Sequence, residues 1–212
     1  MKITDNVYMI ESSKGSHMYL IKEEENSLID TGMPGNIDKI LDEIKSLGVD
    51  PKSIKNILLT HSDVDHIGNA KKLQDITGAT VWCSKEEYPY IEKIKKRSGI
   101  KIIINKIIKS EKPIISNFYN YNENINEIKP ILTPGHTEGH TIFQYKDVIF
   151  VGDILKVKDG NLRLMPKIMN WNEEEAKKSI SILKRLDFKW LCPSHGESIK
   201  NGDKVKKFLL RY

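Results

Sequence analysis

The stretch HSDVDH crowds four candidate metal ligands into six positions, directly after the short apolar run KNILLT at 55–60. These ligands are His61, Asp63, Asp65 and His66. Residues two apart in an extended turn point the same way, so His61 and Asp63 can converge on one ion. Asp65 and His66 can then reach a second ion beside it. Imidazole nitrogens and carboxylate oxygens bind zinc, iron and manganese. The stretch therefore predicts a metal site at the end of a buried strand.

Three further residues of ligand type follow predicted strands later in the chain. They are His136 in LTPGHTEGH, Asp153 in IFVGD and His195 in CPSHG. Any one of them alone is more typical of a cap or a turn. Seven such residues behind four strands are much harder to explain as turns. Together they predict a pair of metal sites.

Hydrophobic patterning predicts an α/β protein whose elements follow the same order twice: strands, helix, strand, helix. We expect a layered single domain over residues 1–212, with two sheets inside and helices outside. The predicted strands are 7–10, 17–21, 26–30, 55–60, 79–83, 127–133, 141–145, 147–153 and 189–193. The predicted helices are 36–48, 69–78, most of 84–97, 172–186 and 202–212.

The segment 98–125 alternates between basic, apolar and aromatic residues, and we interpret it as an inserted helix and loop. In one interpretation, an amphipathic helix covers the domain or pairs two subunits in a homodimer. In the other, the segment is a substrate lid. Phe118, Tyr119 or Tyr121 would then close over an acyl or other apolar group.

Composition excludes some functions and leaves the activity open. The net charge of +5 by itself indicates no partner, and the basic stretch at 93–112 is short, so nucleic acid is not an expected partner. No run approaches the ~18 apolar residues of a membrane span, and the first residues lack the apolar core of a secretory signal. The two cysteines, Cys83 and Cys192, form no CxxC pair. We therefore expect a cytoplasmic protein.

The order of these motifs resembles the metallo-β-lactamase superfamily, in particular its glyoxalase II and lactonase-like branch. HSDVDH stands for the family's His-x-His-x-Asp-His, and GHTEGH, FVGD and PSHG follow in the family's order. LIDTG at 28–32 matches its early Asp-Thr-Gly turn. The resemblance covers essentially the whole chain. It implies a four-layer αββα sandwich with two divalent metals at one edge of the sheets.

Carried over by position, the resemblance implies one metal held by His61, Asp63 and His136. The other would be held by Asp65, His66 and His195, and Asp153 would bridge the two. Asp65 would also orient the metal-bound hydroxide and accept its proton. Asp30 would lie outside the ligand set and hold a ligand histidine in one tautomer.

The resemblance implies less for the remaining polar residues. Lys156, three residues after Asp153, would face the substrate in several branches, although an exposed loop lysine is the simpler interpretation. His140 would be structural.

Position 63 departs from the common family pattern, because aspartate replaces the second histidine of the motif. Aspartate is a harder, negatively charged ligand, which moves preference from zinc towards iron or manganese. Three outcomes are open at this stage: a dinuclear zinc site, a dinuclear iron or mixed site, or a weakened first site with one metal.

The leading functional hypothesis is a zinc-dependent hydrolase of an ester, thioester or lactone. The first alternative is an iron-dependent redox enzyme on the same fold, resembling persulfide dioxygenases or flavodiiron proteins. A non-catalytic ligand-binding protein is the second. The complete remaining ligand set argues against that second alternative, because a degenerate site would lose more than one ligand.

Overall fold

The computed structural model describes residues 1–97 and 99–212, without the side chains of Asn105 and Lys106. Parts of the predicted insert at 98–125 therefore lie outside the described residues. Contacts divide the chain into two compact units. The first comprises Met1–Arg97 and Lys101–Phe118; the second comprises Tyr119–Tyr212 with the short segment before Lys101. The single domain over 1–212 stays a prediction.

The first unit contains a six-stranded sheet in which the strands follow chain order. Strands β1 to β3 are antiparallel neighbours, whereas β3 to β6 run parallel. Parallel pairing places the ends of β3 and β4 at the same edge, which is where Asp30 and the HSDVDH stretch begin. The strands are β1 Val7–Ile10, β2 Met18–Ile21, β3 Asn26–Ile29, β4 Ile54–Leu58, β5 Thr80–Cys83 and β6 Ile115–Phe118.

Helices of the first unit pack apolar residues onto this sheet. Helix α1 buries Ile40 and Ile44, and α3 buries Leu73, all in one core with Leu28 and Ile57 of the strands. This packing fixes the strand ends that carry the candidate ligands. The helices are α1 Ile37–Ser46, α2 Val64–Ile67, α3 Ala70–Thr77, α4 Tyr88–Ile91 and α5 Ile100–Ile107, with a 3₁₀ turn at Pro51–Ser53.

The second unit contains a five-stranded sheet of order β13-β12-β9-β8-β7 and a separate hairpin. Strands β9 and β12 are parallel neighbours, so Asp153 and His195 follow strand ends at one edge. The strands are β7 Ile128–Leu132, β8 Thr141–Tyr145, β9 Val148–Gly152, β10 Leu155–Lys158, β11 Asn161–Leu164, β12 Trp190–Pro193 and β13 Ile199–Lys200. The helices are α6 Glu173–Ile182 and α7 Asp203–Leu209, with 3₁₀ turns at Lys167–Met169 and Leu183–Arg185.

The prediction of a helix over most of 84–97 is wrong, because α4 covers only Tyr88–Ile91. In the turn before this helix, the Ser84 hydroxyl accepts the Glu87 amide at 3.1 Å. Pro89 opens the helix, and Lys93 ends it with a φ of 60°. The residues after Lys93 therefore lie outside the helix, and the Arg97 side chain contacts Glu87.

The interpretation of 98–125 as helix and loop needs correction, because Ile115–Phe118 forms strand β6 beside β5. The apolar run after Pro113 pairs with an exposed sheet edge, which a local pattern cannot reveal. The hairpin of β10 and β11 was also not predicted. It had a usable signal: Asp159 and Gly160 both have positive φ, as a two-residue Asp-Gly hairpin turn requires.

Both cysteines are buried free thiols. Burial raises the pKa of Cys83 well above its usual range and raises that of Cys192 to about 12. We expect neither thiol to react with an aromatic disulfide reagent at pH 8, because thiolate is the reactive form. Denaturant should release two reactive thiols per chain. Rapid reaction of the native protein would contradict the burial of these groups.

None of the described helices is both long and apolar enough to cross a membrane.

Candidate metal centre

Asp30 organises the HSDVDH turn of the first unit. Its backbone has a φ of 56°, and its side chain is only 1% exposed. Its carboxylate accepts the Thr60 amide at 2.8 Å and the Thr60 hydroxyl at 2.7 Å. It also lies 2.7 Å from Nδ1 of His66. The end of β3 thereby fixes the end of β4 and one candidate ligand.

The same hydrogen bonds define the tautomers of two buried histidines. Nδ1 of His66 donates to the Asp30 carboxylate, so Nε2 carries the lone pair. The Thr60 hydroxyl gives its proton to Asp30 and can accept from Nδ1 of His61, 3.0 Å away. Nε2 of His61 is then also a lone-pair donor. Neutral imidazoles oriented in this way are the form that binds a metal.

Each of these Nε2 atoms faces a carboxylate from the same turn. Nε2 of His61 lies 3.4 Å from Oδ2 of Asp63, and Nε2 of His66 lies 3.7 Å from Oδ2 of Asp65. Candidate ligand atoms of His61 and His66 lie within 4.8 Å of each other. Within the first unit, the turn thus brings together all four ligands predicted there.

The second unit has a comparable arrangement around Asp153. Oδ2 of Asp153 lies 3.5 Å from Nε2 of His136, and Oδ1 lies 3.3 Å from Nε2 of His195. Nδ1 of His136 donates to Oδ1 of Asn170 at 3.2 Å, which leaves the Nε2 lone pair facing the carboxylate. His140 accepts the Asp153 amide at 3.0 Å and contacts Thr133. His140 therefore positions Asp153 through its backbone.

These distances fit a divalent cation better than direct hydrogen bonds. The nitrogen–oxygen distances of 3.3–3.7 Å are longer than the ~2.7–2.9 Å of a charge-assisted hydrogen bond. Two ligands that each lie about 2.1 Å from a tetrahedral zinc ion are separated by about 3.4 Å. A cation between a lone pair and a carboxylate that face each other would also relieve their mutual repulsion. The donors of each unit therefore suit zinc, iron or manganese.

The three residues predicted to contact substrate each contact or face other residues of the second unit. Tyr119 is 5% exposed and packs edge-on against Phe143, with ring centroids 5.4 Å apart. The Tyr121 hydroxyl lies 3.1 Å from the Thr141 hydroxyl oxygen. Lys156 lies opposite Arg163 in the backbone register of the β10–β11 hairpin. Contact of Tyr119, Tyr121 or Lys156 with a substrate stays a prediction.

Several residues around the candidate ligands escaped the sequence analysis. Arg97 and Lys101 both approach Asp63, and Glu87 contacts Arg97. Asn170 reaches His136 from 34 positions away. No local motif marks these residues.

The family model for the metallo-beta-lactamase superfamily matches residues 14–195. The chain belongs to this superfamily, as the motif order implied. It is 25% identical to "Probable metallo-hydrolase YybB" of Bacillus subtilis over 92% of this chain and 88% of that protein. It is 26% identical to "Flavo-diiron protein FprA2" of Clostridium acetobutylicum, over 92% of this chain but 52% of that protein.

Solved structures confirm the predicted fold class. A metallo-beta-lactamase family protein from Thermus thermophilus matches 99% of this chain and 80% of its own, with a TM-score of 0.76. The sequences are 18% identical, so this likeness shows the metallo-β-lactamase fold alone.

Proposed function

We propose that the protein is a metal-dependent hydrolase of a small ester, thioester or lactone. The observation that carries the proposal is the set of histidine Nε2 atoms that lie 3.3–3.7 Å from carboxylate oxygens in both units. Membership of a superfamily with hydrolase-named relatives supports the reaction class. Zinc is the metal we propose first, and iron and manganese are the alternatives.

Family membership supports the assignment of ligands that the motif order implied. Asp65, His66 and His195 would hold one metal, and Asp153 would be available to both positions. His61, Asp63 and His136 would be the donors of the other position. A bound divalent metal lowers the pKa of water towards neutrality and polarises a carbonyl oxygen.

The chain's own residues supply orientation and proton transfer. Asp30 and Asn170 hold the Nδ1 protons of His66 and His136, which keeps each Nε2 available for the metal. The Asp65 side chain is 24% exposed, so water can reach it. Asp65 would therefore accept the proton of the attacking water. The oriented base and the polarised carbonyl together make acyl transfer to water the best-supported chemistry.

Asp65→Asn is expected to lower kcat by about 10²–10⁴-fold, because the amide cannot accept a proton. The assay would use zinc-loaded protein with p-nitrophenyl acetate, a thioester and a γ-lactone. Asp75→Asn is the matched control, since Asp75 pairs with Lys71 on the exposed face of α3. Equal activity of Asp65→Asn and the control, or full activity after chelation, would contradict the proposal.

An iron-dependent redox enzyme is the second candidate. Two observations favour it: the carboxylate at position 63 and the similarity to a flavo-diiron protein. Elemental analysis of protein purified without added metal distinguishes the two candidates. Iron in place of zinc would favour redox chemistry.

We also propose that the protein acts in the cytoplasm on a small molecule, without nucleic acid or membrane partners. The two buried free thiols fit a reducing compartment. Exposed isoleucines on α5, including Ile103 and Ile107, would suit a homodimer contact. Size measurement in solution tests that expectation.

A further inference from the structure

Asp63, the residue that departs from the family pattern, is surrounded by positive charge. It is 8% exposed. Nζ of Lys101 lies 2.5 Å from its Oδ2, and Nε of Arg97 lies 3.6 Å from its Oδ1. The oxygen that faces His61 is therefore the oxygen that Lys101 binds. An ammonium group stands beside the donor atom that a metal would need.

Arg97 is balanced by a different carboxylate. Its guanidinium contacts Glu87, donates to the Ser62 hydroxyl at 2.5 Å and stacks 3.7 Å from the Tyr90 ring centroid. Glu87 also accepts the Ser62 amide at 2.8 Å. Arg97 and Glu87 thus form one buried ion pair that is anchored to the turn. The ammonium of Lys101 therefore neutralises the carboxylate of Asp63.

Lys101 is unusual for a lysine on a surface helix. It belongs to α5, yet it is only 7% exposed, whereas Ile102 and Ile103 on the same helix are 40% and 58% exposed. Lysine is almost never buried unless it is paired. The helix exposes isoleucine and buries lysine, which inverts the usual pattern. The ion pair with Asp63 offsets the cost of burying the Lys101 charge.

We propose that the Lys101 ammonium takes the place of the first metal at Asp63, so that the protein holds one tightly bound metal. That metal would occupy the Asp65, His66 and His195 position. The inference rests on the proposed function and makes its active centre mononuclear. A divalent ion at Asp63 would meet the ammonium as a like charge and would have to break a buried ion pair.

Zinc titration of metal-stripped protein tests this inference. Calorimetry and elemental analysis should give one zinc per chain for the wild type. Lys101→Met should bind a second zinc, with affinity at that position tightened by roughly a hundredfold, because the competing cation is gone. Asp63→Asn should still bind one zinc. Lys112→Met is the matched control: Lys112 pairs with Glu92 on the same segment but is exposed, and its loss should change nothing.

Contrary results separate this inference from the proposed function. Two zinc ions in the wild type, falling to one in Asp63→Asn, would show that Asp63 is a ligand and would overturn the inference alone. One zinc in Lys101→Met would do the same, with Lys101→Gln as a second variant if the methionine variant does not fold. No zinc binding by any variant would overturn the proposed function as well.

Discussion

Asp30→Ala should lower the free energy of unfolding by about 3–5 kcal/mol and weaken zinc binding by about 10–100-fold. The substitution removes the acceptor of the Thr60 amide, the Thr60 hydroxyl and the His66 ring. These groups are buried, so each loses its Asp30 acceptor without gaining water in its place. Urea denaturation measures the stability, and calorimetric titration of stripped protein measures the affinity.

Part of that loss will come from the backbone, because alanine disfavours the φ of 56° at position 30. Asp159→Ala is the matched control: Asp159 has a φ of 55° but is exposed in the hairpin turn. We expect about 1–2 kcal/mol from the control and normal zinc binding. If the two variants lose the same stability and neither loses zinc affinity, the carboxylate network has no role in positioning His66.

Gly196→Ala should lower the free energy of unfolding by about 3 kcal/mol or more. A Cβ at Gly196 would lie 1.7 Å from the carbonyl oxygen of Val157, and the residue has a φ of 95°. That close approach exists because the Val157 amide donates to the His195 carbonyl at 3.0 Å. Relief of the clash must therefore move His195. Thermal denaturation and zinc titration should show both losses.

Gly202→Ala is the control for a glycine-to-alanine change in the same unit, since a Cβ there meets open space. Because Gly202 is the N-cap of α7, where alanine is less favourable than glycine, we expect a loss of about 0.5–1 kcal/mol. A Gly196→Ala protein that melts like this control would show that the loop after β12 accommodates a side chain and does not constrain His195.

The candidate ligands were recognisable from sequence because they follow apolar runs. Each of His61, His136, Asp153 and His195 directly succeeds a strand or its short turn, and strand signals are local. The helices α1 and α6 were equally readable from their apolar spacing. Asn172 caps α6 by accepting the amides of Glu174 and Glu175, as an N-terminal asparagine is expected to do.

What the sequence concealed depends on partners far along the chain. Lys101 contacts Asp63 across 38 positions, and β6 pairs with β5 although the helices α4 and α5 lie between them in the sequence. Nothing in the local pattern of α5 tells which lysine turns inward, because several lysines in 93–112 have similar neighbours. The early end of α4 was likewise not predictable, since it follows from the left-handed backbone at Lys93.

The dependence of the HSDVDH turn on Asp30 also bears on transplantation of the motif. A synthetic peptide covering residues 58–70 would contain all four ligand side chains of the turn. It would lack the carboxylate that orients His66 and joins β3 to β4. Such a peptide would have to order its imidazoles as it captures the ion, and it would bind metals weakly and with little discrimination. A graft into another scaffold needs two parallel strands, with the acidic residue supplied by the first.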